Sequence, residues 1–334
     1  MRAFFRHLGL TLAWTALGLH VFVMTCFAGR WDKTAAVTIF PIWIWAFGGL
    51  LVGGLGWLMR RGRLPALAVI VWLITLLVCP DEWSGLWRLA RGADTPQQAK
   101  HAAAHVRVVT LNCQNGNIAA ARETAAWHPD VILLQEMRPW REAQLRQLAR
   151  ELWGETAETT VVCGADAAIL ARGKATAIAR TAPEGDGQFV QAALVLPGGR
   201  EVQVMSLRLR GHVTDLRLHR WQTWRDHARD QRRRRLYVAD IMAHQLRLGG
   251  HLPCLLGGDF NAPAGHRSFQ TLEPLFDDTF ARVGTGWGDT FPNKFPVLRI
   301  DQLWATREWK PIAARVVRSA HSDHRMLVAD YVLE

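Results

Sequence analysis

Pro253-Cys254-Leu255-Leu256-Gly257-Gly258-Asp259-Phe260-Asn261 is the stretch that decides how this chain folds. A short apolar run without charge reads as a strand buried on both faces. This one delivers a carboxylate and an amide at its end. The arrangement recurs: Val108-Val109-Thr110-Leu111 runs into Asn112, and Val131-Ile132-Leu133-Leu134 runs into Gln135-Glu136. Arg299-Ile300-Asp301-Gln302-Leu303-Trp304 carries Asp301 inside a predicted strand, and Ser322-Asp323-His324-Arg325 stands just before the last one. Strands are predicted at 106–111, 131–134, 167–171, 189–196, 201–209, 252–256, 297–304 and 326–332. Helical segments at 119–127, 140–153 and 214–246 alternate with them, as in an α/β or α+β domain over residues 105–334.

A buried carboxylate is costly unless it is paired or bound to a metal. Several of them delivered to one end of a sheet predict a shared counter-charge. Oxygen donors without a Cys/His cluster favour a hard cation, Mg²⁺ or Mn²⁺. Taken singly, each residue has an ordinary use. Glu136 can cap a helix, and Asp259-Phe260-Asn261 can form a turn. Asp301 can pair with Arg299 or Arg325, and His324 can be a satisfied core histidine. Their order and local wording together argue for one site.

The pieces that carry this reading are Leu111-Asn112, Pro129-Asp130-Val131-Ile132-Leu133-Leu134-Gln135-Glu136, Ala168-Ile169-Leu170-Ala171-Arg172, Gly258-Asp259-Phe260-Asn261, Arg299-Ile300-Asp301 and Ser322-Asp323-His324-Arg325. In this order they resemble the endonuclease/exonuclease/phosphatase superfamily, the metal-dependent phosphoesterases related to DNase I, AP endonucleases, sphingomyelinases and inositol-polyphosphate phosphatases. The resemblance implies a DNase I-like four-layer α/β/β/α sandwich that hydrolyses phosphoesters with Mg²⁺ or Mn²⁺. It implies that Glu136 is the principal metal ligand with Asn112 beside it, and that Asp323 helps hold the metal or its waters. Asp259 matches the residue that activates or positions the attacking water, and Asn261 the one that orients that nucleophile or the phosphate. His324 is expected to contact the scissile phosphate and Asp301 to orient this His. The chemistry is consistent with these roles, because a carboxylate beside a His favours the cationic ring, which stabilises charge developing on phosphate oxygens.

One position departs from the family pattern. Many members carry a His in an Asn-x-His-Leu-like setting, where this chain reads Ser206-Leu207-Arg208-Leu209. Arg208 cannot exchange a proton near neutral pH but can clamp a phosphate. His212 lies close enough in sequence to substitute. With the other positions present, an altered rather than a dead site is expected.

Outward from this domain the composition changes. Of the 334 residues, 49% are hydrophobic and 21% charged, which excludes a disordered chain, and five cysteines do not make a disulfide scaffold. The formal net charge is +11, yet residues 1–80 contain only seven Lys/Arg and one acidic residue. Apolar runs at 8–28, 40–59 and 64–79 predict a membrane anchor of two or three helices, because a span takes about 20 apolar residues. The first run can also be read as a cleaved signal peptide, although its length and the second run after it favour an anchor. The third is short, and can be a buried amphipathic segment instead of a span. Three spans put Arg2, Arg6, Arg60, Arg61 and Arg63 on one side, so positive-inside bias predicts an inner-membrane protein with its catalytic domain outside the cytoplasm. Two spans put that domain in the cytoplasm. The hydrophobic N-terminus resembles that of the bacterial family members with such leaders. Residues 81–104 read as a tether.

The basic stretch from Arg217 to Arg235 has three readings: a phosphate-tracking surface for nucleic acid, an interfacial helix on anionic phospholipid, or a solvated helix face partly paired with Asp226 and Asp230. The whole sequence therefore predicts a membrane-anchored, nuclease-like phosphodiesterase. Its rivals are a lipid or sugar-phosphate phosphoesterase and a catalytically inactive tethered binding module.

Overall fold

Apolar residues at alternate positions of a strand face opposite ways, and in this chain both faces are used. The computed structural model describes residues 2–93, 105–180, 187–211, 215–249, 252–263 and 265–334. The chain divides into two units, Met1–Trp83 with Val213–Gln231, and Ser84–His212 with Arg232–Glu334. In chain order its principal elements are α1 (Arg2–Gly29), α2 (Ala35–Thr38), α3 (Ile42–Met59), α4 (Arg63–Val78), α5 (Glu82–Ala90), β1 (His105–Asn112), α6 (Ile118–Glu123), β2 (Val131–Gln135), α7 (Glu142–Trp153), β3 (Thr159–Cys163) and β4 (Ala167–Arg172). They continue with β5 (Lys174–Arg180), β6 (Gly187–Val195), β7 (Glu201–Leu209), α8 (Trp221–Gly249), β8 (Cys254–Asp259), β9 (Asp277–Asp278), α9 (Thr279–Val283), β10 (Gly284–Thr285), β11 (Asp301–Ala305), β12 (Trp309–Val317) and β13 (Met326–Leu333).

The second unit holds two sheets. One has the order β10-β12-β13-β1-β2-β4-β3 and the other β5-β6-β7-β8-β11-β9. Val106 and Val108 of β1, Val131 and Leu133 of β2, Val204 of β7, Leu255 of β8 and Leu303 of β11 meet in one buried cluster between the sheets. The intervening residues Val109, Leu111, Ile132 and Leu134 point away, into a second cluster with Ala120 of α6 and Leu145 and Leu148 of α7. On the outer face of the other sheet, Met205, Leu207 and Leu256 pack with Val238 and Ile241 of α8 and with Phe269. Helix, sheet, sheet and helix therefore stack as four layers, as the family resemblance implies.

Five strands were not anticipated: β3, β5, β9, β10 and β12. β9 and β10 are only two residues each. β3 and β5 are short or interrupted by charge, and β12 contains Pro311, where its pairing with β13 shifts register. The predicted strand at 297–304 is corrected to begin at Asp301, since Val297, Leu298 and Arg299 precede β11. The expected tether at 81–104 is corrected at its start. Residues 82–90 are helical, and Arg88 donates from Nε to the carbonyl of Gly284 (2.7 Å) and from Nη2 to that of Phe280 (3.1 Å). Residues 94–104 lie outside the described set.

In the first unit, α3 buries Ala46, Gly49, Gly53 and Gly56, which recur on one helix face. Small residues let helix backbones approach, and a Cβ on Gly49 would enter the Trp72 ring of α4. Trp72 donates to the carbonyl of Ala16 (3.0 Å), and His20 of α1 bonds Thr75 of α4 (2.9 Å). Leu51, Leu58, Ile70, Ile74 and Leu77 are exposed on the outside of the same helices. Two helices, Ala3–Gly29 and Ile42–Met59, are long and apolar enough to cross a membrane. Arg63–Val78 and Glu82–Ala90 pass the same test together, bent by 62° at the break between them.

The basic stretch is divided between the two units, and not all of it is a solvated face. Its first part belongs with these helices: Trp224 packs against Phe22 (ring centroids 6.4 Å apart), and Gln231 donates to Asp32 (3.3 Å). Arg217 pairs with Asp215 and Arg229 with Asp226. Arg234, in the other unit, is buried and donates to the carbonyls of Phe260 and Asn261.

Candidate active site

Strand direction decides which residues meet. β1 and β2 are parallel, as are β7 and β8, and each carries a polar residue at its end or one before it: Asn112, Gln135, Arg208 and Asp259. β4, β11 and β13 run antiparallel to their neighbours, so their beginnings lie at those ends. Ala167 pairs with Gln135, and Asp301 pairs with Asp259. Parity then aims the side chains inward: Asn112, Gln135, Arg208, Asp259 and Asp301 each continue the series of alternate residues that forms the core between the sheets. Apolar residues fill that core further down. At its end, polar ones replace them.

Asp259 is 1% exposed. Its Oδ2 accepts from Asn112 Nδ2 (3.0 Å) and Asn261 Nδ2 (2.9 Å), and its Oδ1 accepts from the Asn261 N–H (2.8 Å). Gly258 before it sits at φ 145°, and a Cβ there would collide with the Leu207 carbonyl on the parallel neighbour β7. Only glycine lets β7 and β8 approach this closely, which fixes where Asp259 emerges.

Glu136 follows β2 in the left-handed region (φ 58°), an uncommon conformation for a glutamate. Its N–H donates to the Asp166 carbonyl (2.9 Å). Its carboxylate accepts from the Asn115 N–H (2.6 Å), Asn112 Nδ2 (3.3 Å) and Arg208 Nη2 (2.7 Å). Burial by itself raises this carboxyl's pKa, but the Asn115 N–H and the Arg208 guanidinium outweigh it and hold the group below its ordinary range.

His324 Nδ1 is 2.8 Å from Asp301 Oδ2, and both side chains are buried. Burial works against the charged ring, but the Asp301 carboxylate prevails and raises His324 to about 9. Asp301 is fixed by its own N–H, which donates to Thr290 Oγ1 (3.1 Å). Ser322 Oγ donates to the Asn112 carbonyl (2.6 Å) and accepts from the His324 N–H (3.0 Å), tying the start of β13 to the end of β1. Donor atoms of Asp259, Asp301 and His324 all lie within 4.8 Å of one another. Burial, with the Asp301 charge nearby, raises the pKa of Asp259 despite the attraction of His324.

Arg208 occupies the centre of this group. Nη1 lies 2.6 Å from Asp166 Oδ2, Nη2 2.7 Å from Glu136, and Nε 4.0 Å from Asp259 Oδ2. Asp166 is not legible as a site residue from the ends of strands, because it precedes a strand instead of ending one. This residue stands at the beginning of antiparallel β4, opposite Glu136, and the turn Gly164-Ala165-Asp166 before an apolar run was its signal. Thr290 and Ser322 were likewise unassigned.

Of the sequence-predicted residues, the structure gathers Asn112, Glu136, Arg208, Asp259, Asn261, Asp301 and His324. Asp323 has an exposed side chain beside them, and its carbonyl accepts from the Asn293 N–H (2.7 Å). His212 lies outside the described residues.

The family model for the Endonuclease/Exonuclease/phosphatase family matches residues 109–324, which takes in all of this group. The chain belongs to that family. No curated protein matches it in sequence. Among solved structures, an endonuclease/exonuclease/phosphatase family protein from Bacteroides thetaiotaomicron is similar at 15% identity and a TM-score of 0.56, over 70% of this chain and all of that one. A mannosyl-6-phosphatase from the same organism has 16% identity and a TM-score of 0.52, over 68% of this chain and all of that one. D. rerio TDP2 complexed with a single-strand DNA product has 14% identity and a TM-score of 0.52, over 68% of this chain and 98% of that one. Family members are hydrolases acting on phosphoesters, and divalent-metal dependence is general among them.

The donor set fits such a metal. Glu136, Asp166, Asp259 and Asp301 bring four carboxylates to one place. Arg208 and His324 face them, and Arg138 reaches Asp166 from the exposed rim at 3.5 Å. The group is left with net negative charge and with Asp301 Oδ1 buried and unpartnered. Oxygen donors around a negative cavity suit a hard divalent cation.

Proposed function

We propose that this protein is a membrane-anchored, Mg²⁺- or Mn²⁺-dependent phosphodiesterase of the nuclease-like kind, hydrolysing its substrate by direct attack of water. The observation that supports it most is the convergence of Glu136, Asp259 and the Asp301–His324 pair, from both sheets, at one end of the sandwich. Glu136 with Asn112 would hold the cation, with Asp323 on its waters, and a cation there supplies Lewis-acid charge to the phosphate oxygens. Asp259, kept proton-seeking by burial and aligned by Asn261, accepts the proton of the attacking water. Asn261 orients the nucleophile. His324, held cationic and in one orientation by Asp301, neutralises charge as it builds on the phosphate. Arg208 swings from Glu136 and Asp166 to clamp a non-bridging oxygen. A guanidinium cannot donate its proton to a leaving group, so substrates with good leaving groups are favoured.

Bis-p-nitrophenyl phosphate tests the reading. The full-length protein in detergent should hydrolyse it with Mg²⁺ or Mn²⁺, lose activity in EDTA, and lose it with Glu136→Gln. Metal-independent activity, or activity untouched by Glu136→Gln, overturns the site. No hydrolysis by a folded wild type favours a tethered binding module, and preference for a sugar or lipid phosphomonoester favours that rival.

The apolar α1, α3 and α4, with large apolar side chains outward, support three spans; with Arg2, Arg6, Arg60, Arg61 and Arg63 then on one side, positive-inside bias supports a catalytic domain outside the cytoplasm. A reporter fused after Glu334 reads the side directly, and a cytoplasmic signal overturns this topology.

A further inference from the structure

A cavity of about 890 Å³ opens beside the catalytic cluster, lined in part by Gln114, Asn293, Lys294, Phe295, Arg318 and Asp323. It shares a wall with the site already described: Gln114 donates its N–H to Asn112 Oδ1 (3.0 Å), and Asp323 adjoins His324. Its size is that of a pocket for a group as large as a nucleotide.

Three features of the lining define what fits. Lys294 and Arg318 are exposed and, among the described residues, have no ion-pair partner. Asp323 is the one acidic residue in the lining, and His321 is engaged with Glu123 at 3.7 Å. The cavity is therefore net cationic and suits an anion. Phe295 is 81% exposed, the largest exposure among the large hydrophobics of the described residues. A bare ring in a cationic cavity, rather than on a broad apolar patch, suits stacking on a planar group. Asn293 is the third feature. It is 8% exposed, donates from Nδ2 to the carbonyls of Ser319 and Ser322 (2.7 Å each), and leaves Oδ1 buried without a partner. That oxygen can only accept, so it suits a hydroxyl or amino group.

The lining is preorganised. Glu123 binds Ser319 Oγ (2.7 Å) and the Ala320 N–H (3.0 Å), and the Asn293 carbonyl accepts from Arg325 Nε (2.9 Å). A rigid loop costs little ordering entropy when a ligand arrives.

We propose that this cavity is a second subsite, which binds the nucleotide next to the scissile phosphodiester in a single strand. Lys294 and Arg318 take the neighbouring phosphate, Phe295 stacks on the base, and Asn293 Oδ1 accepts from the nucleotide's hydroxyl or amino group. A lipid tail meets none of these three features. The inference rests on the phosphodiesterase reading for its register, since it places the adjoining phosphate at the cluster of Glu136, Asp259 and His324.

The test separates the subsite from the chemistry. Full-length protein in detergent, carrying Glu136→Gln and kept in EDTA, is titrated with a fluorescent phosphorothioate oligothymidylate at several salt concentrations. Adding Lys294→Ala with Arg318→Ala should weaken binding about tenfold or more and flatten the salt slope by about 0.7, the share of one single-strand phosphate. Phe295→Ala should weaken it about fivefold or more, with little change of salt slope. In the active protein, Lys294→Ala with Arg318→Ala should lower kcat/KM for the oligonucleotide at least about tenfold more than for bis-p-nitrophenyl phosphate. Unchanged affinity and slope in the triple variant overturn the subsite even if hydrolysis is robust. Binding that depends on Lys294 and Arg318 supports it even if no hydrolysis occurs. Tighter competition by inositol bisphosphate or by phosphatidic acid vesicles than by unlabelled oligothymidylate overturns the nucleotide assignment.

Discussion

Replacing Arg208 by Gln should make the metal-free protein less stable and its divalent-metal binding tighter. The guanidinium lies 2.6 Å from Asp166 and 2.7 Å from Glu136, with side-chain exposures of 27% for Arg208, 8% for Asp166 and 17% for Glu136. Charges about 4 Å apart at an effective dielectric near 20 attract by about 4 kcal/mol per pair. Most of this is offset by the cost of drying the three groups. Removing the cation leaves Asp166 with Arg138 at 3.5 Å as its remaining ionic partner, and leaves Glu136 its Asn112 and Asn115 donors. A loss of about 2 kcal/mol follows, less than for a fully buried pair. For a domain of this size that is about 4–8 °C in Tm. The same change strips a positive charge from the proposed metal ligand, so Mn²⁺ should bind about tenfold tighter, a gain of about 1.4 kcal/mol. Thermal unfolding of full-length protein in EDTA reads the first effect, and electron paramagnetic resonance of free Mn²⁺ the second. A variant that melts earlier but binds Mn²⁺ no better would show that Arg208 does not oppose the cation, and the assignment of Glu136 as its ligand would fall with it.

Other outcomes follow from the same geometry. His324 is raised to about 9 in the metal-free protein, so its ion pair with Asp301 contributes fully below pH 6.5, its ordinary value, and is lost as pH rises through about 9. In EDTA, the wild-type Tm should fall across that window more than that of Asp301→Asn; parallel curves would refute the pairing. Gly258→Ala should cost about 3 kcal/mol or abolish folding, because its Cβ meets the Leu207 backbone at φ 145°. Gly257→Ala meets chiefly the Leu133 and Leu303 side chains and should cost less; equal costs by denaturant titration would contradict the close approach of β7 and β8. Leu133→Ala, fully buried between the sheets, should lower stability by about 2–5 kcal/mol, and a change within experimental error would place that side chain outside the core.

Much of the site could be read from the chain alone. Asn112, Glu136 and Asp259 follow continuous apolar runs, and a polar group after a buried strand emerges at the sheet's end whatever surrounds it. Asp166 could not be read that way, since only an antiparallel β4 brings a strand's beginning to the end of β2. The same applies to Asp301, which looked internal to a strand and proved to be its first residue. β12 escaped notice because a proline interrupts its pattern, and α5 because its nine residues mix charge with tryptophan. The basic stretch looked continuous but is divided, with Arg217 and Arg229 paired on the surface and Arg234 buried against backbone carbonyls.

Local physics thus set the strands, the apolar N-terminal helices and the residue types brought to the site, since these depend on side-chain alternation and on the cost of burying charge. Which carboxylate faces which cation was decided by tertiary structure. Parallel and antiparallel pairing, together with the close approach that Gly258 permits, bring residues more than a hundred positions apart within hydrogen-bond distance. Arg208 shows the difference: the sequence marks it as a departure from the family pattern that can clamp a phosphate, while the folded chain sets it between Glu136 and Asp166.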